Sequence, residues 1–200
     1  IAVQVSPLDG RFVYVACFWS RSIVVFHRDV VTGDLVYSSQ ASLLTAFTKS
    51  RVTDTNPPDS GPTASVGRRL TPDRFGAPLR SMHAMAMSPD QKHLYVTSFG
   101  DDLVSVFGVD SVTGALNQVQ IIQNGDVHQG REINAMARPA GLGVSVRGES
   151  VYVTGWLDQS VSVFDRAANG HLTYVDRVRN GERMLSWFRD ASEDTLIPAS

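Results

Sequence analysis

The sequence predicts an all-β fold built from repeats of a four-stranded antiparallel unit. Three stretches of the 200-residue chain align without a gap: "VYVACFWSRSIVVF" at 13–26, "LYVTSFGDDLVSVF" at 94–107 and "VYVTGWLDQSVSVF" at 151–164. Each stretch is rich in Val, Tyr and Phe, which favour strands, and Gly, Asp, Asn or Pro separates the apolar runs, as in turns. Matches of this length indicate an internal repeat, which decides the fold of the whole chain.

The second repeat shows every strand of the unit. The turn "SPDQK" precedes the second strand, and there Pro presets the backbone angle while Asp can bond locally. "FGDDL" is the hairpin turn between the second and third strands. The four predicted strands span 82–87, 93–99, 103–109 and 115–123.

The first and third repeats carry the same elements in the same order. "VSPLDGRFV" and "VSVRGESV" form the turn before the Tyr-Val strand. The link that follows the third strand has a glycine two residues before a leucine, at Gly33, Gly114 and Gly170. Fourth strands such as "LTYVDRVR" are more polar, as expected of an outermost strand that meets water.

Stacking of these units side by side predicts a β-propeller of four-stranded antiparallel blades. The two inner hairpin strands carry apolar or small residues on both faces, so both faces need cover. We therefore expect Tyr14, Tyr95 and Tyr152 to hold equivalent places in successive sheets. About three blades are present, a partial propeller, since propellers typically need 4 to 8 blades. The remaining blades or another copy must close the ring, and the start without Met suggests a piece of a longer chain.

The repeats divide the chain into five parts. The region between the first and second repeats is rich in Pro, Gly, Ser and Asp and has no apolar period, which indicates a long inserted loop. We predict blade one at 1–43, the inserted loop at 44–81, blade two at 82–126, a connector and blade three at 127–182, and a tail or the start of a further blade at 183–200.

Composition excludes several classes of function. A formal net charge of -2 offers no basic field for phosphates, so we expect no nucleic-acid partner. No apolar run is long enough for a membrane span. Cys17 is the only cysteine, which rules out an internal disulfide framework. The cellular compartment stays open.

The run "SPDQKHLYVTSFGDDLVSVFGVDSVTGAL" resembles the repeat of the lactonase-like seven-bladed propeller superfamily, often described by its Tyr-Val-Thr-Asn repeat. The similarity covers about 1–40 and 82–182. The superfamily includes 6-phosphogluconolactonases, so the resemblance implies a lactone hydrolase. Its enzymes commonly open the innermost strand with Pro-Arg-His, yet the corresponding residues here are "MHA" at 82–84 and "PAG" at 139–141.

Candidate site residues precede or follow the predicted inner strands. His83 and Arg80 are the candidate catalytic residues, because a lactonase needs a base for water and cations for an anionic substrate. Alternatively, His83 is a hydrogen-bonded strand residue and Arg80 a solvated cation. Candidate binding residues are Trp19, Trp156, Arg138 and Glu132.

No cofactor or metal site is predicted, because no two histidines show metal-ligand spacing. Asp101, Asp102 and Asp158 are interpreted as turn residues rather than calcium ligands. Cys17 lies in a column of small residues and is expected to be buried and inert.

The missing Arg-His pairs favour a non-catalytic propeller scaffold that binds a protein or carbohydrate partner. One alternative is a lactone hydrolase similar to 6-phosphogluconolactonase. Another is a structural protein of the surface-layer type.

Overall fold

The computed structural model describes residues 2–17, 22–42 and 81–181. The predicted inserted loop up to residue 80, the predicted tail at 183–200, Trp19 and Arg80 lie outside the described residues. The strands are β1 (Val3–Val5), β2 (Phe12–Cys17), β3 (Ser22–Arg28), β4 (Leu35–Ser42), β5 (Met82–Met87), β6 (His93–Ser98), β7 (Leu103–Val109), β8 (Leu116–Gln123), β9 (Val127–His128), β10 (Arg131–Glu132), β11 (Pro139–Val144), β12 (Ser150–Gly155), β13 (Ser160–Arg166) and β14 (Leu172–Arg179).

Twelve of these strands form three four-stranded antiparallel sheets, each in chain order. We name them blade 1 (β1–β4), blade 2 (β5–β8) and blade 3 (β11–β14). The remaining pair, β9 and β10, forms a hairpin in the region that the sequence presents as a flexible connector. Its turn residues Gln129 and Gly130 both have positive φ, which suits a tight two-residue turn. Within the described ranges, no helix has the length and apolar character needed to cross a membrane.

A serine organises the turn between the first and second strands of every blade. Its hydroxyl oxygen accepts a hydrogen bond from the backbone N–H that opens the second strand. The three bonds are Phe12 to Ser6 (3.1 Å), His93 to Ser88 (3.0 Å) and Ser150 to Ser145 (3.0 Å). The serine thus sets where the second strand begins, both in the Ser-Pro turns of blades 1 and 2 and at Ser145-Val146 in blade 3.

Packing between the sheets follows the tyrosine of the repeat. Tyr14 is fully buried in a cluster with Leu94 of blade 2, and Tyr95 is fully buried in a cluster with Phe164 of blade 3. Tyr152 is 41% exposed, on a face of blade 3 that no described sheet covers. All three pair with the same position of the first strand, at Gln4, Ala86 and Gly143. The sheets therefore form an arc of a β-propeller, as predicted, and the described arc is not a closed ring.

The innermost strands of blades 2 and 3 share an irregular start. The pairing register shifts between Met82 and Met85 in β5 and between Pro139 and Gly141 in β11. A threonine from the second strand replaces the lost backbone partner: Thr97 Oγ1 accepts the N–H of Ala84 at 2.9 Å, and Thr154 Oγ1 accepts that of Gly141 at 2.7 Å. Such bulges redirect side chains. Here they lie at His83 and Ala140.

Candidate functional site

Four side chains from two blades meet where the innermost strands begin. We call His83, Phe99, Arg138 and Trp156 the rim cluster. His83 stacks on Phe99 with ring centres 5.4 Å apart, and Phe99 lies 6.0 Å from Trp156. The guanidinium carbon of Arg138 is 5.6 Å from the centre of the Phe99 ring and 5.8 Å from that of Trp156. Three of the residues that the sequence singles out are thus brought together.

The β5 bulge turns His83 toward blade 3. Met82 is buried in the core, while the next side chain, His83, is exposed on the other face. His83 Nδ1 lies 3.0 Å from the carbonyl oxygen of Ala140. Because a carbonyl can only accept, Nδ1 carries the proton and Nε2 keeps its lone pair when the ring is neutral. The arrangement presents a base to solvent.

The two aromatic rings reach the rim by the same backbone geometry. The N–H of Phe99 donates to the carbonyl of Ser81 at 3.0 Å, and the N–H of Trp156 donates to that of Arg138 at 3.1 Å. In both blades the acceptor is the residue just before the innermost strand. Trp156 remains 60% exposed, so its ring offers a surface for a ligand.

Arg138 supplies an exposed positive charge beside these rings. Its backbone is left-handed, with φ 52°. Its guanidinium forms cation–π contacts with Phe99 and Trp156, and no carboxylate of the described chain pairs with it. Its donors therefore remain available to an anion.

Other residues singled out from the sequence lie elsewhere. Glu132 is exposed on β10, paired with Val127, and makes no contact with the rim cluster. Asp102 and Asp158 act as turn residues that accept backbone N–H groups. Among the described residues, no group of three or more His, Cys, Asp or Glu side chains could hold a metal ion.

Sequence reasoning did not include Phe99 in the site, although it aligns with Trp156 in the repeat. That aligned aromatic column was the available signal.

A cluster of charged and polar side chains lies at the opposite end of β6. The largely buried Arg166 side chain donates to Asp90 at 2.8 Å and to the Tyr95 hydroxyl at 2.8 Å, and also contacts His93. Burial alone would raise the pKa of Asp90, but hydrogen bonds from Ser88 and Arg166 outweigh it and hold that pKa at about 2. Burial, and then the Arg166 charge, lowers the pKa of His93. This cluster joins blades 2 and 3.

The family model described as "Lactonase, 7-bladed beta-propeller" matches residues 83–184. No curated protein matches the chain significantly. Several solved structures are similar.

A Bacteroides fragilis protein assigned as a 6-phosphogluconolactonase is 18% identical, with a TM-score of 0.61 over 88% of this chain and 38% of its own. The periplasmic gluconolactonase PpgL of Pseudomonas aeruginosa is 20% identical, with a TM-score of 0.59 over 88% of this chain and 39% of its own. A hypothetical selenium-binding protein of Sulfolobus tokodaii is 16% identical, with a TM-score of 0.54 over 89% of this chain and 41% of its own. At these identities the likeness is one of fold, and the chain spans about two fifths of each structure's length.

The family match corrects one prediction and confirms another. The non-catalytic scaffold was predicted because neither blade carries an adjacent Arg-His pair, and the match to a lactonase family favours the lactonase alternative instead. The scaffold prediction was wrong because it considered each blade separately, whereas the structure brings a histidine of blade 2 and an arginine of blade 3 to the same ring. The resemblance noted in the repeat is confirmed: the chain belongs to the lactonase family of seven-bladed β-propellers.

Proposed function

We propose that this chain contributes part of the active site of a hydrolase that opens the lactones of sugar acids. The observation that carries the proposal is the rim cluster, in which a histidine with an available Nε2 and an arginine without a carboxylate partner in the described chain both contact the Phe99 ring. The names of two similar structures, a 6-phosphogluconolactonase and a gluconolactonase, support a sugar lactone as the substrate class.

Opening a lactone requires water to attack the ester carbonyl carbon while a base removes a proton from that water. His83 Nε2 is the base, and the Nδ1–H bond to Ala140 fixes the ring and stabilises the imidazolium that forms. The ring C–O bond then breaks, and the imidazolium returns its proton to the leaving alkoxide. The products are the free hydroxyl and the carboxylic acid of the open chain, and the acid releases its proton to solvent to leave as the carboxylate.

The other residues of the rim cluster bind the substrate. Arg138 holds a negatively charged group of the substrate, since its guanidinium has no carboxylate partner in the described chain. Trp156, which is 60% exposed, offers a ring face against which the apolar face of a sugar ring can pack, while the Phe99 ring supports His83 and Arg138.

The test compares His83→Gln with the wild-type form of the complete protein. Gluconolactone and its 6-phosphate are the substrates, and acid release is followed by titration. We expect kcat/KM to fall by about 100-fold or more, because positioned general bases contribute about that factor. The matched control is His171→Gln, a histidine exposed in a turn far along the chain, which should leave kcat/KM unchanged.

Circular dichroism establishes that both variants are folded. If His83→Gln retains activity within about threefold of wild type, His83 is not the base and the proposal fails.

A further inference from the structure

Residues 135–138, which lead from the β9–β10 hairpin into β11, are held by side chains of two blades. Three consecutive backbone N–H groups each donate to a side-chain oxygen: Met136 to Asn124 at 3.0 Å, Ala137 to Asp158 at 2.7 Å and Arg138 to Asp102 at 2.7 Å. Asn124 and Asp102 belong to blade 2, and Asp158 belongs to the hairpin turn of blade 3. The segment is therefore bound from both sides.

Carbonyl groups of the same segment also accept hydrogen bonds. The Ala135 oxygen accepts from the hydroxyl groups of Ser160 at 2.7 Å and Ser162 at 2.9 Å. The Ala137 oxygen accepts from the N–H of Leu157 at 3.3 Å. With both donors and acceptors engaged, the backbone before β11 has one arrangement available.

Arg138 needs this support because its backbone is left-handed. A residue with a Cβ atom avoids φ near 52°, where the side chain crowds the following carbonyl. Such a conformation persists only where the surroundings impose it. The Asp102 carboxylate supplies a charge-assisted bond to the Arg138 N–H, and Asp102 is itself held through its carbonyl by the N–H of Asn124 at 2.8 Å.

The way Asp102 binds also matters for the charge of Arg138. A carboxylate paired with the guanidinium would compete with an anionic ligand. Instead, Asp102 binds the backbone N–H, so it fixes the residue while the guanidinium stays stacked on Phe99 and Trp156.

We propose that Asp102 of blade 2 is a positioning residue that holds Arg138 of blade 3 in its anion-binding conformation across the junction between the blades. This inference rests on the proposed function to the extent that Arg138 binds the charged group of the substrate. Asp102 itself touches no substrate.

The test uses 6-phosphogluconate as the probe and calorimetry on the complete protein. Asp102→Gly removes the carboxylate without straining the turn, since Gly tolerates φ 55°, and Asp102→Asn keeps an acceptor oxygen at the same place. We expect Arg138→Ala and Asp102→Gly each to weaken binding by about tenfold or more, because small displacements of a binding group have large effects. Asp102→Asn should restore most of the affinity.

The matched control is Gln159→Gly, at the equivalent turn position of blade 3. Gln159 also has a positive φ, 50°, but its side chain bonds to Asn180 rather than to residues 135–138. The Gln159→Gly variant should bind 6-phosphogluconate with wild-type affinity. In turnover of 6-phosphogluconolactone, Asp102→Gly should raise KM while kcat stays within about twofold, because His83 is untouched.

Two results would overturn the inference. One is wild-type affinity in Asp102→Gly when Arg138→Ala has lost affinity. The other is the absence of any probe binding by the wild-type protein, since no anion site would then exist for Asp102 to organise. The second result leaves the proposed function standing if gluconolactone is still hydrolysed and His83→Gln abolishes that turnover.

Discussion

At the scale of single residues, two equivalent buried tyrosines have different hydrogen bonds. The Tyr95 hydroxyl accepts from Arg166 Nε at 2.8 Å and donates to the Gly170 carbonyl at 3.3 Å. The Tyr14 hydroxyl is buried with no hydrogen-bond partner in the described chain. The reason is a sequence difference: Val109 occupies in blade 2 the strand position that Arg166 occupies in blade 3.

This difference predicts opposite effects of the same substitution. Tyr95→Phe should lower the free energy of unfolding by about 1–2 kcal/mol, because it removes two hydrogen bonds, one of them to a charged group. Tyr14→Phe should leave stability unchanged or raise it by up to about 1 kcal/mol, because it removes a buried hydroxyl without a partner. Urea denaturation of the two variants and the wild type measures both.

Each tyrosine variant serves as the control for the other, since both rings are fully buried and keep their packing. Equal losses in the two variants would contradict the prediction, because the hydrogen bonds of the Tyr95 hydroxyl would then make no difference to stability.

At the scale of elements, the turn between the third and fourth strands forms a repeated joint between blades. Its glycine has a positive φ in every blade. A Cβ on Gly114 would overlap the ring of Phe12 in blade 1, and a Cβ on Gly170 would overlap the ring of His93 in blade 2. Phe12 and His93 are both the first residue of a second strand. Gly33 of blade 1 has no described atom within 4 Å of such a Cβ.

Alanine substitutions at these glycines should therefore distinguish the cost of a left-handed backbone from the cost of overlap with the neighbouring blade. Gly33→Ala should cost about 1–2 kcal/mol of stability, from the left-handed backbone alone. Gly114→Ala and Gly170→Ala should cost clearly more, because the turn must also move away from the neighbouring blade. Urea denaturation of the three variants measures the difference. An equal loss of stability in Gly33→Ala and Gly170→Ala would show that the contact of the Gly170 turn with the neighbouring blade adds no cost.

At the scale of the whole molecule, stability should decline with acid in two stages. Burial and the Arg166 cation lower the pKa of His93 below its ordinary value of 6.5, with Asp90 opposing and Lys92 reinforcing the shift. The unfolded chain then binds the proton more readily, so the free energy of unfolding decreases as pH falls through about 6.5 and below. His93→Gln should remove this first stage.

The second stage belongs to the carboxylates. Asp9 and Asp90 have pKa values of about 2, because hydrogen bonds and neighbouring arginines outweigh the effect of burial. Backbone N–H groups also lower the pKa of the exposed Asp29 and Asp110. Their stabilisation is present above about pH 4 and is lost as pH falls toward their folded values. Urea denaturation across this range checks both stages, with His171→Gln as a control that should leave the first stage in place.

The strands and turns of the fold could be predicted from the sequence with little loss. The observed strands of blade 2 agree with the predicted ones to within one residue, because Val-rich runs and Ser-Pro-Asp turns act over a few neighbouring residues. His83, Arg138 and Trp156 could also be named from their places beside the inner strands and hairpin turns. Their contacts could not, because alignment compares equivalent positions of the blades, whereas the rim cluster combines different positions of two blades.

The sequence by itself determined the repeat, the four-stranded unit and the equivalence of Tyr14, Tyr95 and Tyr152, since these depend on local periodicity and turn chemistry. Only the tertiary structure decided which nitrogen of His83 carries its proton and where the charge of Arg138 lies. The Ala140 carbonyl, across the blade junction, determines that the proton lies on Nδ1 of His83. The left-handed backbone of Arg138, which Asp102 supports, determines where the guanidinium lies. Both depend on atoms distant in sequence that meet only when one sheet packs against the next.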